Sequence, residues 1–352
     1  LRKNSYLFFL KIYRIIYVYK SYWILLMNLK KLGLICLIPL LSLFSINYFS
    51  KAAQRLSGAG ASLPAMLYSR LFTDLRNSGG PKINYQAVGS GFALKALIDG
   101  SVDFAASDDP IDLNNVAKVS RGVVQIPIVA GNIAIGYNKP NCNLKLTQDQ
   151  LVQVAMGIIQ DWEEINCPQG KIIWIHRSDA SGSTKAFTNS MKSFSKKWTL
   201  GSAKTVEWPT GIGAKGTSGV AGRIKNTIGS IGYLSSAYTN GIIQVAAIEN
   251  LSGEFLKPTI ESGIISLKSL DIENQSTIHN PNPKEKGAYP ISTLTWIWVY
   301  KSGYGEKLEN IKTTLNFLIS EQAKKKAQKM GFIPLNNGLK AHALTAIKNI
   351  GI

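Results

Sequence analysis

Arg177, Asp179, Ser181, Gly182 and Ser183 fall within one short stretch, from Ile172 to Phe187. Their types suit one task, the binding of a small oxyanion. A guanidinium offers a planar fork of donors to a tetrahedral oxyanion. Hydroxyls and backbone amides add donors, and Gly182 lets the backbone approach a ligand closely. The surrounding pattern shows how they are placed. Ile172 to Ile175 is an apolar run that reads as a strand. Phe187, Met191, Phe194 and Trp198 then recur at spacings of four, three and four, the apolar stripe of a helix. A strand therefore ends, a hydroxyl- and glycine-rich turn follows, and a helix begins. Such a start presents unpaired N–H groups and the positive end of the helix dipole.

Three earlier positions share this setting. Gly58 and Gly60 mark a turn before Ser62, which reads as an N-cap, with Pro64 in the first helical turn. Leu63, Leu67, Leu71 and Leu75 line one face of the helix that follows, and the stretch from Asn77 to Pro81 ends it. Lys82 to Val88 reads as a strand running into Gly89-Ser90-Gly91 and a helix with Leu94, Leu97 and Ile98. Val102 to Ser107 is a further strand, followed by Asp108-Asp109-Pro110 and a helix from Leu113. Strand and helix alternate, so parallel strands with helices packed on them are expected. Ligands of such folds sit beyond the carboxyl ends of the strands. Ser62, Ser90, Asp108 and Ser181 to Ser183 would then be four helix starts converging on one anion. Each alone is weak evidence and reads more simply as a cap.

Further along, Val123 to Asn138 is a long apolar strand, and a helix is expected from Thr147. Trp208 to Gly219 is glycine-rich and leads to a helix near Val220, but Lys215-Gly216 lacks the spacing of a nucleotide-binding loop. Ile228 to Leu234 and Leu294 to Tyr300 read as strands, Glu306 to Met330 as helical, and the basic tail as helical.

Composition narrows the function classes. The chain has 352 residues, 45% hydrophobic and 17% charged, a globular composition long enough for two domains. Net charge is +19, but residues 1–52 hold eight Lys and Arg and no acid; the other 32 basic against 21 acidic residues leave +11. Such a field draws anions. No dense Lys/Arg patch interleaved with aromatics appears in the body of the chain, so nucleic acid is not an expected partner. His176, His279 and His342 are far apart and no Cys/His cluster has metal spacing, so neither a metal nor another cofactor is expected. Ser181 and His176 are poorly placed for nucleophilic catalysis. Asp161, Glu163 and Glu164 around Trp162 read as a solvated helix start.

Met27 to Lys31 resembles the basic start of a secretory signal, Leu32 to Ile46 its apolar core, and Ser50-Lys51-Ala52 a cleavage site. The reading places the true start at Met27 and treats 1–52 as an upstream extension plus signal peptide. A membrane anchor across 5–49 is the competing reading. After cleavage Cys142 and Cys167 remain, either bridged in an oxidising compartment or as two free thiols.

Six segments then carry a resemblance. Ser57 to Pro64, Val88 to Gly91, Ala106 to Pro110, Arg177 to Ser183, Gly211 to Gly216, and Tyr289 to Thr293 stand in the order found in the periplasmic phosphate-binding proteins of high-affinity phosphate ABC transporters. The similarity spans about 55 to 335. It implies an α/β fold of the periplasmic binding protein type II kind, two α/β lobes joined by two crossover segments with the ligand in the cleft. Lobe 1 would hold 53–138 and 295–352, and lobe 2 would hold 139–294, with crossings near Asn138 and Thr295. By resemblance the phosphate ligands are Ser62, Leu63, Ser90, Asp108, Arg177, Ser181, Gly182 and Ser183, with Asp179 holding the arginine. Ser62-Leu63 stands where the family has a Thr-Phe pair, Ser183 replaces a threonine, and Gly91-Phe92-Ala93 departs from a serine and two glycines.

The resemblance implies an exported, monomeric, non-enzymatic protein that delivers phosphate to membrane permease subunits. A carboxylate only accepts hydrogen bonds. Asp108 would therefore accept the proton that phosphate keeps at neutral pH and repel sulfate, which has none. A sulfate- or molybdate-binding protein, a secreted phosphatase-like hydrolase and a structural exported protein are the rival readings.

Overall fold

The computed structural model describes residues 55–352 apart from 240, 242, 269 and 271–280. The signal peptide, the start at Met27, the alternative anchor and His279 all lie outside the described residues. Among the described residues no helix is long and apolar enough to cross a membrane, and no cluster of His, Cys, Asp and Glu could hold a metal ion.

Strand and helix alternate from the start. Strand β1 (Leu56–Gly60) leads to helix α1 (Ala65–Asn77), β2 (Ile83–Gln86) to α2 (Ser90–Ile98), and β3 (Phe104–Ser107) to the short α3 (Leu113–Val116). Helix α1 buries Leu67, Tyr68, Leu71, Phe72 and Leu75 on one face. Its N-cap is Pro64 and it makes no side-chain cap, so Ser62 is not the cap that its type announces. The 16-residue β4 (Val123–Asn138) follows, buried along most of its length. Then come β5 (Lys145–Leu146), α4 (Gln148–Ala155) capped by Thr147, β6 (Ile173–Arg177), α5 (Gly182–Phe194), β7 (Ile212–Ala214), α6 (Gly216–Lys225) and β8 (Ser230–Ser235). The short β9 (Gln244–Val245), β10 (Ala247–Glu249), β11 (Phe255–Leu256) and α7 (Ile260–Ser266) precede β12 (Ser292–Tyr300). Helices α8 (Leu308–Leu318), α9 (Glu321–Lys329) and α10 (Asn337–Lys348) close the chain. The stretch expected as one helix from Glu306 to Met330 is thus two, because Ser320 caps a new start by accepting the Ala323 N–H. Trp198 lies past the end of α5 yet is buried, against Phe187 and Trp208.

The main sheet runs β2-β1-β3-β12-β4-β8-β6-β7, with β9 also on β4. Two parallel blocks, β2-β1-β3 and β8-β6-β7, flank the antiparallel neighbours β12 and β4. Strand β4 belongs to both halves. Val123 to Asn132 pair with β12, and Ile133 to Asn138 pair with β8. The exchange of partner is pinned: Asn132 Nδ2 donates to Thr259 O at 2.7 Å, and Ser292 Oγ donates to Asn132 Oδ1 at 2.7 Å. Pro127 is tolerated in this buried strand because the ladder slips between Thr295 and Trp296 of β12, opposite it.

One core cluster runs through both halves, with Trp162, Trp174, Trp296 and Trp298 among its largest fully buried side chains. Cys142 and Cys167 are paired, with Cα atoms 5.1 Å apart.

Candidate anion-binding site

The carboxyl ends of the two parallel blocks meet, and the hydroxyls, amides and charges foreseen in the sequence meet there. From the first block come Ser62 beyond β1, Ser90 opening α2, and Asp108 directly after β3. From the second come Arg177 ending β6, Ser181 to Ser183 opening α5, and Gly216-Thr217 opening α6. Ser62, Leu63, Ser90, Asp108, Arg177, Ser181, Gly182 and Ser183 are all buried, the exposures of the polar ones being 5% or less.

Glycine makes the approach of the blocks possible. A Cβ on Gly182 would stand 2.7 Å from Ser90 Oγ and 2.9 Å from Asp108 N, so no other residue fits there unmoved. Gly91 abuts Ala180 equally closely and its N–H donates to Ala180 O at 3.0 Å. Gly91 thus has a packing reason of its own. Gly89 has φ 98° and lies against the Asp179 carboxylate.

Asp108 sits at the centre. Ser183 Oγ donates to its Oδ2 at 2.9 Å and Thr295 Oγ1 to its Oδ1 at 2.8 Å. Its backbone is held as well, by Thr293 Oγ1 on the carbonyl at 2.9 Å and by its own N–H on Ser90 Oγ at 3.3 Å. Thr293 and Thr295 are two apart on β12 and so face the same side. Burial pushes the Asp108 carboxyl up to about 6; the Thr295 and Ser183 hydrogen bonds and the Arg177 charge pull back, and neighbouring Asp109 adds to the rise. Arg177 is treated differently. Its Nε donates to Asp179 Oδ1 at 2.7 Å and its second guanidinium nitrogen to Oδ2 at 2.5 Å, a bidentate pair. Burial works to raise the Asp179 carboxyl, but the Arg177 hydrogen bonds and charge and the Gly216 N–H, 2.9 Å from Oδ1, hold it below its ordinary value.

Two of the four expected helix starts are helix starts here. Ser181 caps α5, accepting the Thr184 N–H at 3.1 Å, and Ser90 is the first residue of α2. Asp108 is not, since α3 begins only at Leu113 and is capped by Asp112. Ser62 is not either; its Oγ instead lies 3.0 Å from Thr217 N and 3.1 Å from Thr217 Oγ1. The helix expected near Val220 is α6; it begins earlier, at Gly216, and its place at the site was missed in the sequence. The pattern was visible: Lys215-Gly216-Thr217 follows a strand and opens a helix, as the Ser181 loop does. Thr295 and Tyr233 were also missed, the latter joining the Arg177 N–H (3.2 Å) to the Thr184 hydroxyl (2.7 Å). His176 stacks on Trp208 and its Nδ1 lies 3.1 Å from Arg177 O, while Ser181 Oγ serves as a cap, so the two do not form a nucleophile–base pair. Asp161 and Glu164 form a capping box around the short turn Trp162–Ile165, away from the site.

A model of the PBP superfamily domain matches residues 49–322. The phosphate-binding protein PstS of Pasteurella multocida is 32% identical over 312 residues, covering 83% of this chain and 90% of that one. The chain belongs to the PstS family of phosphate-binding proteins. Solved structures agree on the fold. The phosphate-binding protein from Stenotrophomonas maltophilia superposes with a TM-score of 0.67 at 19% identity, over 85% of this chain and 99% of that one. The high-affinity periplasmic phosphate-binding protein PfluDING, solved with phosphate bound, gives 0.67 at 20% identity over the same 85% and 99%. The family fold is α/β of the periplasmic binding protein kind, and the six motifs quoted above fall within or beside the region matched.

Proposed function

We propose that this chain captures inorganic phosphate in the periplasm and presents it to the permease subunits of a phosphate ABC transporter. The observation that carries the reading is the buried Asp108 carboxylate, set among the donors of α5 and close enough to Arg177 to feel its charge. A buried carboxylate accepts hydrogen bonds and donates none. An anion that keeps a proton at neutral pH satisfies it; a fully ionised one is repelled. Leaving such a charge unmatched costs ~2–5 kcal/mol, or ~30- to 5000-fold in affinity. That disfavours sulfate or molybdate as the cargo. A hydrolase needs an activated nucleophile, and the contacts of Ser181 and His176 argue against one.

Ser62, Leu63, Ser90, Ser181, Gly182 and Ser183 would surround the anion with amides and hydroxyls, Arg177 would supply the cation, and Asp179 would hold Arg177 in place. We assign one lobe to 53–138 with 295–352 and the other to 139–294. The exchange of partners along β4, from β12 up to Asn132 to β8 from Ile133, supports a division into two lobes. Closure of the lobes would exclude water and give the permease one shape to recognise. Calorimetric titration with phosphate and, separately, sulfate tests the proposal. Tight binding of phosphate alone is expected; no phosphate binding, or equal binding of sulfate, overturns it.

A further inference from the structure

We propose that Thr217 is a positioning residue for anion capture, occupying the acceptor sites of Ser62 Oγ so that the Ser62 hydrogen is left for the anion. This rests on the phosphate reading above. Ser62 and Thr217 are 155 residues apart, on different parallel blocks, and are 5% and 1% exposed. A hydroxyl has one hydrogen to give and two lone pairs to fill. The Thr217 N–H, at 3.0 Å from Ser62 Oγ, fills one lone pair. The Thr217 hydroxyl, at 3.1 Å, is within hydrogen-bond reach and either oxygen can be the donor.

Chemistry decides between the two arrangements once an oxyanion is present. If Ser62 donates to Thr217, its only hydrogen is spent and it turns a lone pair toward negative charge. If Thr217 donates, both Ser62 lone pairs are filled and the hydrogen must point elsewhere, toward the anion. The backbone around Ser62 is fixed for this, with Tyr238 Oη donating to its carbonyl at 3.1 Å and Tyr85 Oη to Ala61 O at 2.7 Å. The same helix start sends the Gly216 N–H to Asp179. One turn of α6 therefore orients a donor on the far block and braces the partner of Arg177 on its own. Because the Ser62 contact joins the blocks, their approach and the anion's grip become one event.

The test begins with wild-type protein and inorganic phosphate; absence of binding overturns the phosphate reading and this inference with it. Given binding, Thr217→Val keeps the N–H and the volume but removes the donor hydroxyl. Its Kd should rise about tenfold, through faster release rather than slower capture, read by stopped-flow tryptophan fluorescence. Thr217→Ser should restore Kd to within about twofold. In a Ser62→Ala background, Thr217→Val should change Kd by less than about twofold. If valine lowers the unliganded melting temperature, Thr217→Ala in both backgrounds reads the same coupling. Wild-type Kd in the Thr217 variant, an unchanged penalty without Ser62, or failure of serine to restore binding overturns the inference while leaving the phosphate reading intact.

Discussion

Arg177 at the end of β6 and Asp108 at the end of β3 are both buried, yet they are held in opposite ways. Arg177 brings its own counter-ion: Asp179 grips it with two short hydrogen bonds. Asp108 is met by hydroxyls, Ser183 and Thr295, and burial keeps its carboxyl near 6. The second block can therefore meet any oxyanion with a held guanidinium and helix-start amides. On the proposed reading, the first block adds the group that would reject an anion without a proton, Asp108. Attraction and discrimination would then be divided between the two halves, and variants that remove one should leave the other readable.

The largest effect should come from the attracting side. Arg177→Ala leaves the half-buried Asp179 beside the site without its partner. Phosphate affinity should fall ~30- to 5000-fold. Calorimetry in which the variant keeps near-wild-type affinity would remove Arg177 from the site. Asp108→Asn breaks the other side. Affinity for phosphate should fall less than the preference for phosphate over sulfate, which should shrink by about 30-fold or more. The same substitution has a second readout. The Asp108 carboxyl is raised in the folded chain from 3.8 to about 6. Its contribution to unliganded stability is thus fully present below 3.8 and lost as pH rises through about 6. Two units amount to about 3 kcal/mol. The unliganded melting temperature of the wild type should therefore fall relative to Asp108→Asn as pH rises through this window. Parallel curves from pH 4 to pH 8 would contradict the raised carboxyl.

Much of this division was legible in the sequence, and what was not has a physical reason. Arg177 to Ser183 could be read because strand, turn and helix follow in one stretch and all the donors are local. β4 could be read because it is buried on both faces and so is apolar along most of its length. Ser62 was misread as a cap because a serine two residues before a proline looks the same whether its oxygen serves its own helix or a distant one. Thr217 and Thr295 lie 155 and 187 residues from the groups they bond, so their roles depend on a sheet order in which β12, late in the chain, lies between β3 and β4. Alternation of strands and helices predicts parallel blocks; it does not say where a returning antiparallel strand inserts.

Thr295 acts on the same carboxylate, that of Asp108. Its hydroxyl favours the ionised Asp108, as does that of Ser183. Thr295→Val keeps the shape but removes that donor, so the carboxyl should titrate higher still. A protonated Asp108 can donate to sulfate, so sulfate should compete with phosphate in the wild type only as pH falls below about 6. In Thr295→Val competition should appear at higher pH. Identical pH profiles for sulfate inhibition would mean that Thr295 only packs.

The smallest effect should come from Lys204, whose Nζ lies 3.0 Å from Asp109 Oδ2. This pair also reaches across the site: Asp109 follows Asp108, and the Lys204 carbonyl accepts the Ser181 N–H at 2.9 Å. The ammonium also sits 5.7 Å from the Trp298 ring. The pair is partly exposed, at 24% and 13%, so its worth is limited by solvent screening. Lys204→Met keeps the stem and removes the charge. Phosphate Kd should rise less than about fivefold, and the difference from wild type should shrink as salt is added. Removing the ammonium leaves the Asp109 charge, which already raises the Asp108 carboxyl, less offset. Selectivity against sulfate near pH 6 should therefore suffer before affinity does. A Lys204→Met variant that loses affinity at all pH values and keeps its selectivity would instead place Lys204 with the attracting half.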